Sequence, residues 1–337
     1  MLIKQSLSEQ HIIDCLHTAY GIKVVTLTFL PLGADMNASV YKAKAQDQLF
    51  YFIKLKHGHH HDISVDIVRL LHAVEIQQII LPVKTIHGQS TQRIGDFTLI
   101  VYPFIEGHNS FNSLLTNEQW LTLGKALRQV HDCDVPSSIQ HRIRRETYSS
   151  QWREIVRSLY THIEAEPSGD EIALKLLAFM KKNMLALRRL VDQAEQLAQM
   201  IQHESPKFVL CHSDIHGGNV LIEENNNIYI VDWDDPIMAP KERDLMFIGG
   251  GVGNVWNKPH EEALFYEGYG KTEINKTILA YYRHERIVED IALYAQSLLM
   301  TTVGGEDRLE MYNHFIAMFE PRGVVEVAFE TDEGLVR

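Results

Sequence analysis

The chain has 337 residues, 45% of them apolar, which is enough for two lobes with separate cores because single cores stop growing near about 250–300 residues. Its 32 basic and 44 acidic residues give a formal net charge of −12, which argues against nucleic acid or a membrane surface as a partner. The chain has three cysteines without a CxxC spacing, which argues against a disulfide-rich secreted module. Its apolar stretches are much shorter than the about 20 residues that span a membrane, which argues against a membrane protein. These features predict a cytoplasmic protein.

Short β-rich runs alternate with turns between residues 24 and 105, which predicts a small antiparallel sheet. The runs are VVTLTFLPLG, VYKAKA, LFYFIKLK, IILPVKTI and FTLIVYPFI. Apolar residues at three- and four-residue spacing predict one helix over residues 64–74, packed on this sheet. The sheet ends in YPFIEGHNS, so we expect a hinge near residues 102–107.

The remainder of the chain is predicted to be mainly helical. A capping-box pattern, Thr116 followed by Gln119, opens a helix with a regular apolar face. A second long helical region is predicted over about residues 170–202. Together with the sheet, this pattern predicts an α+β fold.

One strand-rich segment interrupts the helical part, KFVLCHSDIHGGNVLI followed by IYIVDWDD, and predicts a hairpin with charged residues at its ends. Asp214, Asn219 and Asp232 offer oxygen ligands of the kind that Mg²⁺ prefers. Phosphoryl transfer uses such a set, because one carboxylate orients the acceptor hydroxyl while the other groups hold ions that neutralise the phosphates. The alternative is that Asp214 and Asn219 only stabilise turns.

Lys54 lies in the otherwise apolar strand FYFIKLK. A lysine there usually faces solvent at a sheet edge. Together with the HxDxxxxN loop, however, it indicates a kinase arrangement, in which a strand lysine contacts the α- and β-phosphates and pairs with an acid on the helix. Asp62 and Asp66 are the two candidates for that acid, and either of them is also explained as a favourable helix N-terminal charge.

An ordered series of motifs resembles the aminoglycoside phosphotransferase and choline kinase family, a branch of the protein-kinase-like fold. The motifs are the strand Lys54, the YPFIEG hinge, HSDIHGGN, IVDWD and PKERDL. The resemblance covers nearly the whole chain. It implies a β-rich nucleotide-binding lobe over residues 1–103, a helical lobe over residues 104–337, and transfer of phosphate from ATP, with Mg²⁺, to a hydroxyl of an aminocyclitol antibiotic.

The resemblance also implies roles for the residues of the catalytic motifs. Asp214 corresponds to the catalytic aspartate, Asn219 and Asp232 to the Mg²⁺ ligands, and Asp244 to a structural brace of the catalytic loop. The loop departs from the HGDxHPGN of relatives at Ser213 and at Gly218, which removes the rigidity that a proline gives.

For the nucleotide, the resemblance implies that Lys54, supported by an acid such as Asp62, binds the phosphates. The backbone around Tyr102 and Phe104 is expected to bind the adenine. The turn over residues 32–39 contains one glycine instead of three, so a phosphate-covering loop and an ordinary hairpin turn both remain open for it.

Acceptor binding is predicted for the segment after Asp232, whose aromatic and acidic side chains suit a rigid cationic ring system. Trp256, Tyr266 and Glu267 are the candidates, next to Asp214 itself. The alternative is that Trp256 and Tyr266 are core aromatics between helices.

Other functions remain open on the sequence. A kinase for another small hydroxyl metabolite, such as choline, homoserine or methylthioribose, fits the same motifs. A zinc-dependent hydrolase built on the histidines of residues 57–61 and HSDIH is a weaker alternative, and so is a kinase-like binding protein without activity. GGGVGNVW does not match the G-x-G-x-x-G of dinucleotide-binding loops and predicts a close-packed turn.

Overall fold

The computed structural model describes residues 7–31, 38–58, 63–165, 169–301 and 306–334. The chain forms two compact units. The first consists of Met1–His108, Val135–Arg142 and Leu221–Asp234, and the second of Asn109–Asp134, Ile143–Val220 and Asp235–Arg337. The first unit therefore extends past the predicted boundary at residue 103 and takes in two later segments.

A five-stranded antiparallel sheet forms the main part of the first unit. Its strands are β1 (Val24–Leu30), β2 (Ala38–Ala45), β3 (Phe50–His57), β4 (Gln92–Ile94) and β5 (Phe97–Pro103), in the order β1-β2-β3-β5-β4. Lys54 lies on the central strand β3, opposite Val40 on one side and Ile100 on the other. Because Ile53 and Leu55 are fully buried on one face of β3, Lys54 lies on the opposite face, and not at a sheet edge.

Two of the helices in the first unit are α1 (Glu9–Tyr20) and α2 (Ile63–Ala73). The helix predicted over residues 64–74 is confirmed as α2. Helix α1 was not predicted, although Ser8 is its N-cap and Ile12 and Leu16 join the apolar core of the sheet at helical spacing.

The prediction of a strand over residues 79–86, IILPVKTI, is wrong. Pro82 has no amide hydrogen, so a continuous ladder of backbone bonds cannot pass through it. The segment makes single contacts instead: the Val83 amide donates to the Val101 carbonyl at 2.7 Å, and the Thr85 amide donates to the Gln89 carbonyl at 2.8 Å. The strands beside β5 are β3 and β4, and β4 lies further along the chain than residues 79–86.

Two small three-stranded sheets contain the strands of the interrupting segment. Their strands are β6 (Gly107–Asn109), β7 (Arg144–Arg145), β8 (Val209–Cys211), β9 (Val220–Glu223), β10 (Ile228–Ile230) and β11 (Ile237–Ala239). One sheet has the order β10-β9-β6 and the other β7-β11-β8. The predicted hairpin is confirmed for β9 and β10, whereas β8, which leads into HSDIHGGN, belongs to the other sheet.

The remaining helices confirm the mainly helical character of the second part of the chain. They are α3 (Asn117–Asp132), α4 (Ser137–Gln140), α5 (Gln151–Glu164), α6 (Glu171–Lys182), α7 (Met184–Ile201), α8 (Glu242–Leu245), α9 (Pro259–Tyr269), α10 (Lys276–Leu299), α11 (Glu306–Ala317) and α12 (Val324–Glu333). The helical region predicted over residues 170–202 is two helices, separated at Asn183. Helix α10 lies in the core of the second unit with α5, α6 and α7.

Helix α3 begins as the sequence predicts. The Gln119 amide donates to Thr116 Oγ1 at 3.2 Å, and the Thr116 amide donates to Gln119 Oε1 at 2.8 Å, so both halves of the capping box are present. A side chain at Gly124 would place its Cβ 2.2 Å from the Phe265 carbonyl oxygen, so α3 and α9 pack closely at this glycine.

Within the described ranges, no helix combines the length and the apolar character that crossing a bilayer requires.

Candidate active site

Asp244 holds the backbone at the start of the HSDIHGGN loop. Its carboxylate accepts the amides of His212 and Ser213 at 2.8 and 2.7 Å, and His131 Nε2 lies 3.0 Å from the same group. Burial raises the pKa of Asp244, but the hydrogen bond and charge of His131 outweigh this effect, and the pKa falls below its ordinary value. These contacts match the bracing role that the family resemblance implies for Asp244.

Ser213 adopts a backbone conformation that favours glycine. Its φ is +75°, in the left-handed region, and its side chain is buried. The hydroxyl donates to the Asp235 carbonyl oxygen at 2.7 Å. A serine stands here, where the HGDxHPGN pattern of the resemblance has glycine, and its hydrogen bond offsets part of the backbone strain.

Two substitutions separate the strain at Ser213 from the hydrogen bond. Ser213→Ala keeps the left-handed strain and loses the hydroxyl, so we expect the free energy of unfolding to fall by about 1–2 kcal/mol. Ser213→Gly loses the same bond but removes a strain of about 1–2 kcal/mol, so we expect a change below about 1 kcal/mol. Urea denaturation of both variants measures the difference, and equal destabilisation would contradict a strained Ser213.

The Asp214 carboxylate has one strong partner and two weaker ones. Its Oδ1 accepts Arg286 Nη1 at 2.6 Å, while its Oδ2 lies 3.4 Å from His216 Nε2 and 3.5 Å from Asn219 Nδ2. Burial raises the pKa of Asp214, but the charges of Arg286 and His216 outweigh it, so the pKa lies well below its ordinary value. Asp214 is therefore ionised at neutral pH, and 38% of its side chain is exposed.

Asn219 lies on the same loop and is oriented by it. Its side-chain Nδ2 donates to the Asp214 carbonyl oxygen at 2.8 Å. Because the amide nitrogen is used in this bond, Oδ1 is the atom of Asn219 that suits a cation.

Aromatic packing holds the glycine pair of the loop in the absence of a proline. The Gly218 amide donates to His216 Nδ1 at 3.0 Å, and the His216 ring stacks on Phe111 with centroids 5.2 Å apart. A Cβ at Gly218 would lie 2.7 Å from the His216 ring and 2.8 Å from Phe111. A proline at position 218 would lose the amide bond and clash, so His216 and Phe111 supply the rigidity here.

In the first unit, Lys54 pairs with two carboxylates of the DWDD segment. Lys54 Nζ lies 2.9 Å from Asp232 Oδ1 and 2.6 Å from Asp234 Oδ2. Burial lowers the pKa of Lys54, but the charges of Asp234 and Asp232 outweigh it, so the pKa is raised above its ordinary value. Lys56 Nζ is 3.6 Å from Asp234 Oδ1. Asp234 was not predicted, although its place two residues after Asp232 was a usable signal.

Of the two acids proposed as helical partners of Lys54, the structure describes Asp66, and Asp66 pairs with another residue. Asp66 accepts Arg142 Nη1 at 2.5 Å, and Asp62 lies outside the described residues. The predicted phosphate-covering turn also lies mostly outside them, as do three of the five residues in the histidine-rich run 57–61.

The hinge residues lie at the end of β5. Tyr102 is opposite Phe52 on β3, and the Phe104 amide donates to the Phe50 carbonyl at 3.0 Å. Lys42 Nζ lies 3.9 Å from the centre of the Phe104 ring. Because the sheet already uses the Phe104 amide hydrogen, an adenine contact from this residue has to use its carbonyl or its ring.

Trp256 is a core aromatic, so the prediction that it stacks on the acceptor is corrected. Its side chain is 3% exposed, its indole N–H donates to Ser110 Oγ at 3.0 Å, and its ring packs edge-on against Trp120. Tyr266 is half-buried and packs against Phe265, whereas Glu267 is exposed. Of the three predicted acceptor residues, only Glu267 has an exposed side chain.

Replacement of Trp256 should therefore affect stability. We expect Trp256→Ala to lower the free energy of unfolding by about 3–5 kcal/mol, because it leaves a cavity beside Trp120. Trp256→Phe keeps most of the packing and loses the bond to Ser110, so its loss should be near 1 kcal/mol. Thermal unfolding measures both, and an unchanged melting temperature for the alanine variant would show that Trp256 is not part of the core.

The zinc-site alternative gains no support from the clustering of side chains. Among the residues that the structure describes, the group of histidine, cysteine and acidic side chains close enough to share an ion is His131, Cys211 and Asp244. None of these is a histidine of the two predicted zinc segments. His131 is already bonded through both ring nitrogens, to Asp244 and to Tyr269 at 2.8 Å. The group is thus part of the hydrogen-bond network that supports the loop.

Comparison with known proteins gives both close and distant relatives. Spectinomycin phosphotransferase APH(9)-Ia, solved with ADP and spectinomycin, is 51% identical with a TM-score of 0.93, covering 98% of this chain and 100% of that one. Its AMP-bound complex is 50% identical with a TM-score of 0.89, covering 97% and 99% of the two chains. A protein named StrN from Streptomyces griseus is 24% identical over 254 residues, 72% of this chain and 75% of that protein.

More distant structures share the fold alone. Amicoumacin kinase hAmiN is 16% identical with a TM-score of 0.62, covering 94% of this chain and 95% of that one. The protein-kinase-like α+β fold expected from the sequence is thereby confirmed. Residues 28–273, well over half of the chain, match the family described as "Phosphotransferase enzyme family". The chain therefore belongs to the phosphotransferase enzyme family.

Proposed function

We propose that this phosphotransferase transfers the γ-phosphoryl group of ATP to a hydroxyl of spectinomycin in the presence of Mg²⁺, giving resistance to the antibiotic. The observation that carries the proposal is the 51% identity, over nearly the full length of both chains, to a phosphotransferase solved with ADP and spectinomycin. The three free cysteines suit the reducing cytoplasm, where we place the reaction.

Asp214 is the proposed catalytic residue. Its low pKa keeps it ionised, so it can accept a hydrogen bond from the acceptor hydroxyl and take the proton as the phosphoryl group transfers. Because phosphoryl transfer passes through a loose transition state, orienting the hydroxyl is the larger part of this role. The brace from Asp244 to the amides of His212 and Ser213 supports that orientation.

Asp232 and Asn219 are the proposed Mg²⁺ ligands, and Lys54 the proposed ligand of the α- and β-phosphates. The residues fit the ion, since both offer side-chain oxygens and the amide nitrogen of Asn219 is already used. When bound, Mg²⁺ would neutralise charge on the phosphates. Asp232 and Asp234 keep Lys54 charged and hold its ammonium group in place. The charged ammonium group can then bind an anionic ligand.

Acidic side chains near Asp214 support a cationic acceptor. Asp290 and Glu289 lie on α10 close enough for their charges to act on one another and on Asp214. An aminocyclitol carries protonated amines, which such carboxylates attract. Choline is cationic too, so charge alone does not select between these acceptors.

Two lysines on the same face of β3 provide a matched test of the phosphate-binding role. We expect Lys54→Ala to lower kcat by about 10²-fold, because misplacing the reacting phosphates by 1 Å has an effect of that size. Lys56→Ala, which removes a longer, 3.6 Å contact to Asp234, should lower it less than about threefold. Steady-state ADP release measures both values, and equal losses would mean that the wrong lysine has been assigned.

A panel of acceptors tests the proposed substrate. ADP release with Mg-ATP is measured for spectinomycin, representative aminoglycosides, choline, homoserine and methylthioribose. We expect kcat/KM to be highest for spectinomycin by at least an order of magnitude. A higher value for choline or another metabolite would replace the antibiotic with that acceptor and leave the phosphotransferase chemistry in place.

A further inference from the structure

We propose that Arg286 is a positioning residue of the transfer reaction, which acts by fixing the Asp214 carboxylate through Oδ1 and leaving Oδ2 for the acceptor hydroxyl. The inference rests on the proposed function, because it takes Asp214 as the group that receives the acceptor. Neither the motif pattern nor the family resemblance pointed to Arg286.

Arg286 is itself held in place by its own helix. Its Nε lies 3.1 and 3.2 Å from the two carboxylate oxygens of Asp290, one turn further along α10. Its Nη1 then reaches Asp214 Oδ1 at 2.6 Å, and its guanidinium carbon lies 5.8 Å from the centre of the Phe247 ring. A planar guanidinium that is bonded at both ends transmits the fixed position of α10 to the carboxylate.

The other contacts of Asp214 leave one oxygen for the acceptor. Asn219 bonds the main-chain carbonyl of Asp214, which fixes the backbone and not the carboxylate. At Oδ2, the His216 and Asn219 nitrogens are 3.4 and 3.5 Å away, beyond the usual range of a strong hydrogen bond. Among the described residues, the short bond to the carboxylate therefore comes from Arg286, and without it the side chain can rotate about χ1 and χ2.

A purely structural ion pair predicts a different result. Arg286 and Asp290 are only 21% and 22% exposed, so loss of a purely structural ion pair here would lower the melting temperature and leave kcat per folded molecule nearly unchanged. A positioning role predicts a selective loss of kcat, because a small displacement of a reacting group lowers the rate by about 10²-fold.

The experiment compares Arg286→Ala and Arg286→Lys with Arg283→Ala, a matched control one turn earlier on α10. Arg283 donates to the carbonyls of Met246 and Ile248 and to Thr331, and does not contact Asp214. We expect Arg286→Ala to lower kcat per folded molecule by about 10²-fold with the KM for ATP nearly unchanged, and to lower the melting temperature because Asp214 and Asp290 lose a counter-charge. Arg286→Lys should lose less, and Arg283→Ala should lose stability but keep its kcat per folded molecule.

Chemical rescue and a double-mutant cycle provide readouts that a structural role would not change. Guanidinium ion, below denaturing concentration, should restore part of kcat in Arg286→Ala and leave Arg283→Ala unchanged. On the residual rate of Asp214→Asn, Arg286→Ala should cause little further loss, because it acts through the missing carboxylate. A wild-type kcat in Arg286→Ala, or a full and additive loss in the double variant, would overturn the proposal.

All of these rates are measured with whichever acceptor of the panel the wild type phosphorylates fastest. A result against spectinomycin then changes the proposed substrate and not the comparison between variants. Full turnover of Asp214→Asn, by contrast, would show that the proposed catalytic residue is wrong and would remove the basis of the Arg286 proposal with it.

Discussion

Asp214→Asn is expected to lower kcat by about 10³-fold, within the 10²–10⁴-fold range of general acid–base groups, while the KM for ATP stays within about twofold. Asparagine has the same shape but carries no charge, so it cannot take the proton of the acceptor hydroxyl. Its amide also forms a weaker bond with Arg286 Nη1 than the carboxylate does. Because 38% of the side chain is exposed, folding should be little affected, which circular dichroism checks.

Asp235→Asn is the matched control for this substitution. Asp235 is another acidic residue of the second unit, its side chain is 77% exposed, and its contact with Arg144 is a 3.7 Å surface pair. We expect a near-wild-type kcat for it. A folded Asp214→Asn protein with more than a tenth of the wild-type kcat would mean that another group orients the acceptor.

Asp232→Ala is expected to abolish turnover and to remove the effect of Mg²⁺ on nucleotide binding. The substitution deletes a proposed ligand of the ion, and Mg²⁺ sites in proteins rest on one or two carboxylates. Lys54 keeps Asp234 as a partner at 2.6 Å, so the lysine is not left without a counter-charge. Isothermal titration with ATP, in the presence and absence of Mg²⁺, separates the loss of the ion from the loss of the nucleotide.

In the wild type, Mg²⁺ should tighten ATP binding, and in Asp232→Ala the two titrations should coincide. Asp235→Ala, three residues further along the chain, should behave as the wild type. An unchanged Mg²⁺ effect in Asp232→Ala would contradict the assignment of this carboxylate as a ligand.

Most of the helices and strands predicted from local sequence patterns are present in the structure. The capping box at Thr116 and the spacing of apolar residues in α2 depend on neighbours within a few positions, so the pattern alone suffices. Residues 79–86 are rich in β-branched residues, but they form no strand because Pro82 cannot join a ladder.

Contacts between distant parts of the chain were beyond the sequence pattern. Arg286 is 72 residues from Asp214, and the Arg-x-x-x-Asp spacing to Asp290 by itself indicates only a pair on the surface of a helix. For Trp256 the sequence left acceptor stacking and core packing both open, because nothing in the local sequence shows that Trp120 and Ser110 cover it. The residue types of HSDIHGGN were enough to propose its chemistry from the sequence. The contacts that support this loop come from distant parts of the chain and are seen only in the folded structure.

The most direct test of the proposed reaction is the mass of spectinomycin after incubation with the protein and Mg-ATP. We expect a product heavier by one phosphoryl group, with one ADP formed for each product molecule, and about 10³-fold slower product formation with Asp214→Asn. Spectinomycin that remains unmodified in the presence of folded protein and Mg-ATP would contradict the proposed reaction.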